Sequence, residues 1–198
     1  MPRKPVAPPV VPPVVPRVVP LVTPAKPTAP LKAARSSIVS SSHLVSPRSV
    51  ELSEFEFGLI VAWNAFSRWA VRCMSAAGSA DLTITDVLVL HHINHRARNK
   101  KLADICFVLN YEDTHVVAYS LKKLVSAGLA QTEKLGKEVF YSPSPAGEAA
   151  VQKYREVREA CLVDNLDAER NHDIGEMARL MRTMSGLYDQ AARAATSL

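Results

Sequence analysis

Proline divides this chain into two parts. Twelve of its fourteen prolines fall within residues 1–47, and between residues 5 and 30 they recur every one to four residues. Proline lacks a backbone donor and breaks helices, so we expect neither helices nor a packed core in this segment. We expect residues 1–48 to be a disordered tail with local polyproline II conformation, and residues 49–198 to hold the folded domain.

Two other interpretations of the tail stay open. The stretch PVVPR fits a PxxP ligand pattern, although repeated proline produces such matches by chance. A translation start further downstream would leave the tail unmade. Prolines also interrupt the apolar stretch that a secretory signal needs, so export is not expected.

Charge follows the same division. Residues 1–48 contain seven basic residues and no acidic one, whereas residues 49–198 contain 17 basic and 19 acidic residues. The net charge of +5 therefore comes from the tail. Because the folded part is nearly neutral, any basic surface for nucleic acid must be local.

The lengths of the apolar runs and the spacing of the cysteines indicate the cellular compartment of the protein. No run approaches the roughly 20 residues that cross a bilayer. Cys73, Cys106 and Cys161 are widely spaced and form no C-x-x-C pair, so neither a disulfide framework nor a zinc site is indicated. We expect a cytoplasmic protein without membrane contact and without a metal or other cofactor.

A long first helix is predicted from one apolar stripe with spacings of three and four. Its members are Leu52, Phe55, Leu59, Trp63, Phe66, Ala70 and Cys73. Ser53 and Glu56 form a capping-box pattern near the start, and Gly78 lies near the end. A helix of about 25 residues is longer than a domain of this size usually needs, so a second surface is expected to use it.

Three shorter helices follow. Thr83 and Asp86 form a capping-box pattern at the start of the second. The third has the helical spacing of Leu102, Ile105, Cys106 and Leu109, with a stop at Asn110. The fourth begins at Asp113, ends at Gly128, and points Val117, Leu121 and Leu124 inward.

The period then changes. Residues 129–142 lack helical spacing, contain the β-formers Val139, Phe140 and Tyr141, and have Gly136 between two runs, which predicts a small hairpin. Ser144 and Pro145 begin a fifth helix. The last helix has a heptad seam formed by Ile174, Met177, Met181, Met184, Tyr188, Ala191 and Ala195. Leu180 and Leu187 widen this apolar surface, which favours dimerisation over internal packing.

Residues 82–147 resemble the winged helix-turn-helix of MarR-type transcription regulators. The matching features, in order, are Leu82–Thr83, the LADI helix, the close KKLVSAGLA of the fourth helix, and Ser144-x-x-Gly147 after the hairpin. With the flanking helices, the resemblance covers about residues 50–197. It implies a mainly α fold with a β-hairpin wing and a helical dimerisation region formed by residues 49–79 and 148–198.

The resemblance also implies a homodimer that presents its fourth helix to the major groove of double-stranded DNA. By analogy, the base-facing side is Thr114, His115, Ala118 and Tyr119, and the phosphate contacts are Lys122 and Lys123. The expected dimer contacts are Leu52, Phe55, Ile174, Met177, Met181, Met184 and Tyr188.

The hairpin departs from the family's pattern. It is a few residues shorter and lacks the Asp-x-Arg pair whose arginine reaches the minor groove, so Lys134 and Lys137 are its only cations. A solvated turn is the alternative interpretation of these two lysines.

A small-molecule pocket between the first, second and fifth helices is also implied, with Trp63, Phe66 and His91 as candidate lining; plain core is the alternative. His91 and His95 have a zinc-compatible spacing but lack a third ligand nearby in sequence, so no metal is predicted. Cys106 is assigned to the core, and Cys73 is the cysteine with the better prospect of redox sensing.

The sequence therefore predicts a sequence-specific DNA-binding transcription regulator, a repressor acting as a homodimer and responding to a small-molecule effector. The alternative is a non-catalytic protein-interaction module on a winged-helix scaffold. An enzyme is not expected, because the sequence has no Gly-rich phosphate loop, nucleophile elbow or convincing acid/base pair.

Overall fold

The computed structural model describes Ser46, residues 48–97 and residues 99–198. These residues form α1 (Val50–Ala76), α2 (Ile84–Asn94), β1 (Lys100–Lys101), α3 (Leu102–Leu109), α4 (Thr114–Ser126), β2 (Ala130–Leu135), β3 (Glu138–Pro143), α5 (Pro145–Cys161) and α6 (Ala168–Ala195). Short 3₁₀ turns follow α2 and α5. The predicted fold class, mainly α with a small β wing, is confirmed. The predictions for residues 1–45 lie outside the described residues.

One apolar core joins the winged part to the ends of two long helices. Its buried members on α2, α3 and α4 include Val87, Leu90, Ile93, Ile105, Val117, Leu121 and Leu124. The same cluster contains Ala70, Cys73 and Met74 of α1 and Ala150 and Tyr154 of α5. The packing boundary between the winged part and the expected dimerisation helices therefore runs through α1 and α5 rather than between elements.

Helix α1 has two unlike halves. Its last turns are buried, whereas Leu52, Leu59, Trp63 and Phe66 of the predicted stripe are exposed. The expected capping box at Ser53 and Glu56 is wrong, because the helix already begins at Val50 and Ser53 is buried inside it. Glu56 instead accepts a hydrogen bond from the Tyr188 hydroxyl of α6, at 3.0 Å.

The start of α2 and the end of α3 follow the predicted signals. The Thr83 N–H donates to Oδ2 of Asp86 at 2.8 Å, and the Asp86 N–H donates to the Thr83 hydroxyl at 3.3 Å. Asn110 ends α3 in the left-handed region, with φ of 55°. At the start of α2, the side chains of Thr83 and Asp86 thus satisfy backbone groups that a helix end leaves without partners.

The sheet has one strand more than the sequence predicted. β2 and β3 pair as an antiparallel hairpin from Ala130↔Pro143 to Leu135↔Glu138, so Gly136 and Lys137 form its two-residue turn. The strand β1 adds to the other edge of β3, with Lys100 opposite Tyr141. Two residues are too few to show an alternating pattern, which is why periodicity does not predict this strand.

Helix α6 buries none of its 28 residues within the chain. The Asp167 carboxylate caps its start by accepting the Arg170 N–H at 2.7 Å. Its predicted seam is only partly covered: Met184 and Tyr188 are half-buried, whereas Ile174, Met177 and Met181 are exposed. An amphipathic helix of this length needs an apolar partner for that face.

Candidate nucleic-acid interface

Helix α4 separates a fully buried face from an exposed one. Val117, Leu121 and Leu124 are completely buried and anchor the helix in the core. The opposite side carries Thr114, His115, Tyr119 and Lys122, all exposed, with Ala118 half-buried beside them. The side chain of Tyr119 is 73% exposed, an unusual exposure for an aromatic residue on a packed helix. The structure thus places the predicted base-facing residues together on one outward surface.

Both ends of α4 are fixed by local chemistry. The Asp113 carboxylate caps the start by accepting the His115 N–H at 2.8 Å. At the other end Gly128 has φ of 71°, which favours glycine. The Leu129 N–H bonds to the Leu124 carbonyl at 2.9 Å and the Gly128 N–H to the Val125 carbonyl at 3.0 Å, the pair of bonds that defines a Schellman motif. The predicted cap and stop of this helix are confirmed.

A buried carboxylate joins α4 to α2. Asp86 is 2% exposed, and its Oδ1 accepts the hydroxyl of Ser120 at 2.7 Å. Its Oδ2 accepts the ammonium of Lys123 at 2.7 Å, and the same ammonium donates to the Asp81 carbonyl at 2.6 Å. Ser120 is itself buried, so this polar cluster lies inside the domain.

The electrostatics of Asp86 follow from these contacts. Burial acts to raise the pKa of this carboxyl, but hydrogen bonds from Lys123, Thr83 and Ser120 outweigh burial and lower the pKa below its usual value. Asp86 is therefore an anion at neutral pH and holds the Lys123 ammonium against the domain.

Lys123 differs from Lys122 in its contacts within the chain. The sequence assigned it with Lys122 to DNA phosphate, but its ammonium is engaged by Asp86 and by the Asp81 carbonyl. The adjacent lysine positions point in different directions because consecutive residues are about 100° apart around a helix. Lys122 keeps the predicted outward position, and Lys123 belongs to a structural ion pair.

The wing presents its two predicted cations to solvent. Lys134 lies near the end of β2, Lys137 lies in the turn, and both are exposed. The neighbouring acids have other partners: Glu138 pairs with Lys101 at 2.6 Å, and Glu133 accepts from the Asn99 amide at 2.7 Å. Within the described part of the chain, neither wing lysine forms a salt bridge, so their charges face outward.

The wing leads into α5 through a tight contact. The Ser144 hydroxyl accepts the Gly147 N–H at 3.1 Å and caps α5, as predicted, while the Ser144 N–H donates to the Leu129 carbonyl at 3.1 Å. A Cβ at position 147 would collide with that same carbonyl oxygen. Only glycine fits there, which gives a physical reason for the Ser144-x-x-Gly147 pattern.

The residues predicted to line a small-molecule pocket form two groups. Trp63 and Phe66 contact each other with ring centroids 6.0 Å apart and are exposed on α1. His91 packs edge-on against Tyr154 of α5 at 4.4 Å. In the described part of the chain, no ring contact joins His91 to either aromatic residue of α1.

Two of the cysteines contribute to packing. Cys73 is buried and its thiol donates to the Tyr154 carbonyl at 3.5 Å. Burial, followed by the nearby Cys161, raises the pKa of the Cys73 thiol, and burial also raises the pKa of Cys106. Both shifts disfavour the thiolate that redox chemistry needs, whereas Cys161 is exposed.

Two features are absent from residues 48–97 and 99–198. Across these residues, no three or more His, Cys, Asp or Glu side chains come together as potential metal ligands. No helix among them is long and apolar enough to span a bilayer.

The residues that sequence reasoning missed are those that act across elements. Asp86 was predicted only as a helix cap, and Ser120 received no role. One signal was present: Ser120 lies among Val117, Leu121 and Leu124 on the buried face, and a polar residue at such a position needs a hydrogen-bond partner.

Comparison with known proteins agrees with this geometry. Residues 82–147 match the family model of the winged helix DNA-binding domain. Solved structures with the same fold include a MarR family transcription regulator, at 14% identity and TM-score 0.59, covering 72% of this chain and 95% of that one. AbfR of Staphylococcus epidermidis has 17% identity and TM-score 0.57, covering 69% and 93%. Reduced AbfR bound to DNA has 15% identity and TM-score 0.53, covering 68% and 94%.

No curated protein gives a significant match. The resemblance to MarR-type winged helix-turn-helix regulators is confirmed by the matched domain and the shared fold. The family model that matches residues 82–147 describes a DNA-binding domain.

Proposed function

We propose that this chain, which has the fold of MarR-type regulators, is a sequence-specific DNA-binding transcription repressor that acts as a homodimer in the cytoplasm. The observation that carries the proposal is the outward face of α4. Thr114, His115 and Tyr119 offer hydrogen-bonding groups of the kind that read base edges, and Lys122 offers a cation for phosphate. Ala118 leaves room for close approach between them. Lys134 and Lys137 would contact the backbone or minor groove beside the wing.

The homodimer is supported by apolar surface that the single chain leaves uncovered. Ile174 and Met177 of α6, and Leu52 of α1, are exposed, and Phe55 is half-buried beside them. Exposed apolar surface of this extent typically marks an interaction site. A two-fold dimer would place two copies of α4 about one turn of DNA apart, so each copy would read one half of a palindromic site.

Repression and ligand response complete the proposal. A dimer bound over a promoter excludes other proteins from the same DNA. An effector between α1, α2 and α5, near Trp63, Phe66 and His91, would weaken binding by favouring another separation of the two α4 helices. One solved structure with this fold is reduced AbfR bound to DNA, which makes duplex DNA the partner to test.

Titration of the full chain with duplex DNA at several salt concentrations tests the proposal. The expected result is tight binding to a duplex selected from a random pool and a steep decrease of affinity with salt. Tyr119→Ala should weaken selected binding by about 5- to 150-fold, the effect of removing a base-reading side chain. Lys122→Ala should lower the salt slope by about one for each phosphate that the lysine neutralises.

Phe107→Ala is the matched control for Tyr119→Ala. Phe107 is 86% exposed, but it lies on α3 and not on the α4 face, so its removal should leave DNA affinity unchanged. Repeating the titration without residues 1–48 measures what the basic tail adds. A DNA affinity that changes neither with salt concentration nor with Tyr119→Ala would contradict the proposal.

The second candidate is a non-catalytic protein-interaction module built on the same scaffold. The observation that favours it is the pair Phe107 and Val108, two apolar side chains that are exposed on α3 and have no part in the proposed DNA face. Under this alternative, Phe107→Ala would abolish partner binding, whereas Tyr119→Ala would leave it intact.

A further inference from the structure

The buried carboxylate of Asp86 makes contacts on two elements at once. At the start of its own helix it accepts the Thr83 N–H, and on α4 it accepts the Ser120 hydroxyl and the Lys123 ammonium. Both carboxylate oxygens are used, and the two contacts to α4 are each 2.7 Å long. A cap alone would require only the first of these bonds.

Two contacts from one anion constrain a helix in a way that apolar packing does not. Val117, Leu121 and Leu124 hold α4 against the core, but apolar contacts have little directionality. Ser120 and Lys123 are three residues apart, so their side chains leave α4 on the same side. Bonding both to one fixed carboxylate sets the rotation of α4 about its own axis, because charge-assisted hydrogen bonds are short and directional.

We propose that Asp86 is a positioning residue for DNA recognition, which fixes the rotation of α4 through Ser120 and Lys123 and so aims Thr114, His115 and Tyr119 at the DNA. This inference rests on the proposed function. It assigns the discrimination between DNA sequences partly to a residue that does not face DNA.

The same contact determines what Lys123 can bind. Lys123 and Tyr119 are four residues apart on α4, so Lys123 lies at the border between the buried and exposed faces. Its ammonium is only 2.7 Å from Asp86, and about a third of its side chain is exposed. Removing the anion frees this ammonium to turn outward toward phosphate. Asp86 therefore withholds a cation that would otherwise add sequence-independent affinity.

Asp86→Asn tests both consequences. Asparagine keeps the shape, and it can accept the Thr83 N–H through its oxygen while its amide donates to the Ser120 hydroxyl. Affinities are measured for the full chain against a selected duplex and a scrambled duplex of the same length, across a salt series. The ratio of the affinity for the selected duplex to that for the scrambled duplex should be about tenfold lower than in the wild-type chain. The salt slope for the scrambled duplex should become steeper by about 0.9 for each Lys123 that reaches a phosphate.

Two further variants separate positioning from general unfolding. Asp104→Asn is the matched control, since Asp104 accepts the Lys101 N–H in the α3 capping box but is exposed. It should leave both the ratio and the slope unchanged. Asp86→Asn combined with Lys123→Met should return the slope to the wild-type value while the ratio stays low. If Asp86 had only a structural role, Asp86→Asn would not make the salt dependence of binding to the scrambled duplex steeper.

If Asp86→Asn does not fold, as judged by its thermal unfolding curve, Ser120→Ala and Lys123→Met each remove one α4 contact and should each lower the ratio. A folded Asp86→Asn variant with the wild-type ratio and slope would overturn the inference. Absence of salt-dependent binding by the wild-type chain would instead overturn the proposed function, so the two failures are distinguishable.

Discussion

The two ends of α1 have similar apolar content but differ in what covers them. Near the end of the helix, Cys73 and Met74 are almost completely buried by α2 and α5. In the first half of the helix, Phe57 is 47% exposed and Ile60 is 59% exposed. Because a long helix rarely exposes so much apolar surface to water, the uncovered end indicates a partner outside the chain.

Helix α6 approaches this uncovered end without closing it. Tyr188 bonds to Glu56, and a cavity of about 310 Å³ remains between the helices, lined by Phe55, Leu59, Met181 and Met184 among others. The covered end of α1 thus belongs to a closed core, whereas its uncovered end and α6 leave an apolar surface exposed to solvent. A second copy of the same two helices is the proposed completion.

The largest expected effect comes from placing a charged residue in the exposed apolar seam of α6. Met177 is 54% exposed, so the isolated chain should tolerate Met177→Lys. In a dimer the same lysine would be buried without a partner, which opposes association. We expect monomers by analytical ultracentrifugation and a decrease in selected-DNA affinity of about 10²- to 10⁴-fold, the contribution of linked half-sites.

Gln190→Lys is the control for this substitution. Gln190 is exposed on α6 and lies about 140° around the helix from Met177, away from the seam. It should leave the dimer and its DNA affinity intact. If the Met177→Lys variant dimerised as tightly as the wild-type chain, the apolar seam of α6 would not be the dimer interface.

A somewhat smaller effect distinguishes the two ends of α1 directly. Met74→Ala should lower the free energy of unfolding by about 2–5 kcal/mol, because it leaves a cavity in a closed core. The decrease should be the same at all protein concentrations. Leu59→Ala, at the uncovered end, should mainly weaken association and increase the concentration dependence of unfolding. Thermal unfolding at several protein concentrations measures both, and identical behaviour of the two variants would remove the distinction.

The sequence predicts helices well where the signals are local. The caps at Thr83, Asp113 and Ser144 and the stops at Asn110 and Gly128 all depend on residues within a few positions of each other. Periodicity also identified the buried side of α4. Such signals are sufficient for the order of the elements and for the winged domain.

Sequence reasoning failed where the outcome depends on distant contacts. The stripe of α1 is continuous, but only the fold decides that α2 and α5 end before covering its first half. Lys122 and Lys123 are indistinguishable as neighbours in sequence, and only the approach of Asp86, 37 positions earlier than Lys123, separates their roles. The strand β1 is visible only through its pairing with β3.

The smallest expected effect is a pH dependence confined to the covered end of α1. His91 of α2 packs on Tyr154, whose carbonyl accepts the Cys73 thiol of α1. Burial lowers the pKa of His91, so the folded chain binds this proton less readily than the unfolded chain does. Its contribution to stability is full above the unfolded pKa of about 6.5 and is lost as the pH falls toward the lower folded pKa.

The free energy of unfolding should therefore decrease gradually below about pH 6.5. His92 acts in the same direction, because burial, Lys100 and His95 lower its pKa. His91→Gln should remove part of the decrease, and His91→Gln with His92→Gln should remove more. His172→Gln, exposed on α6, is the control. Because neither histidine lies on α6 or on the exposed half of α1, dimer dissociation should change little over the same range. A dissociation constant that follows the unfolding profile would place the two ends of α1 in one cooperative unit.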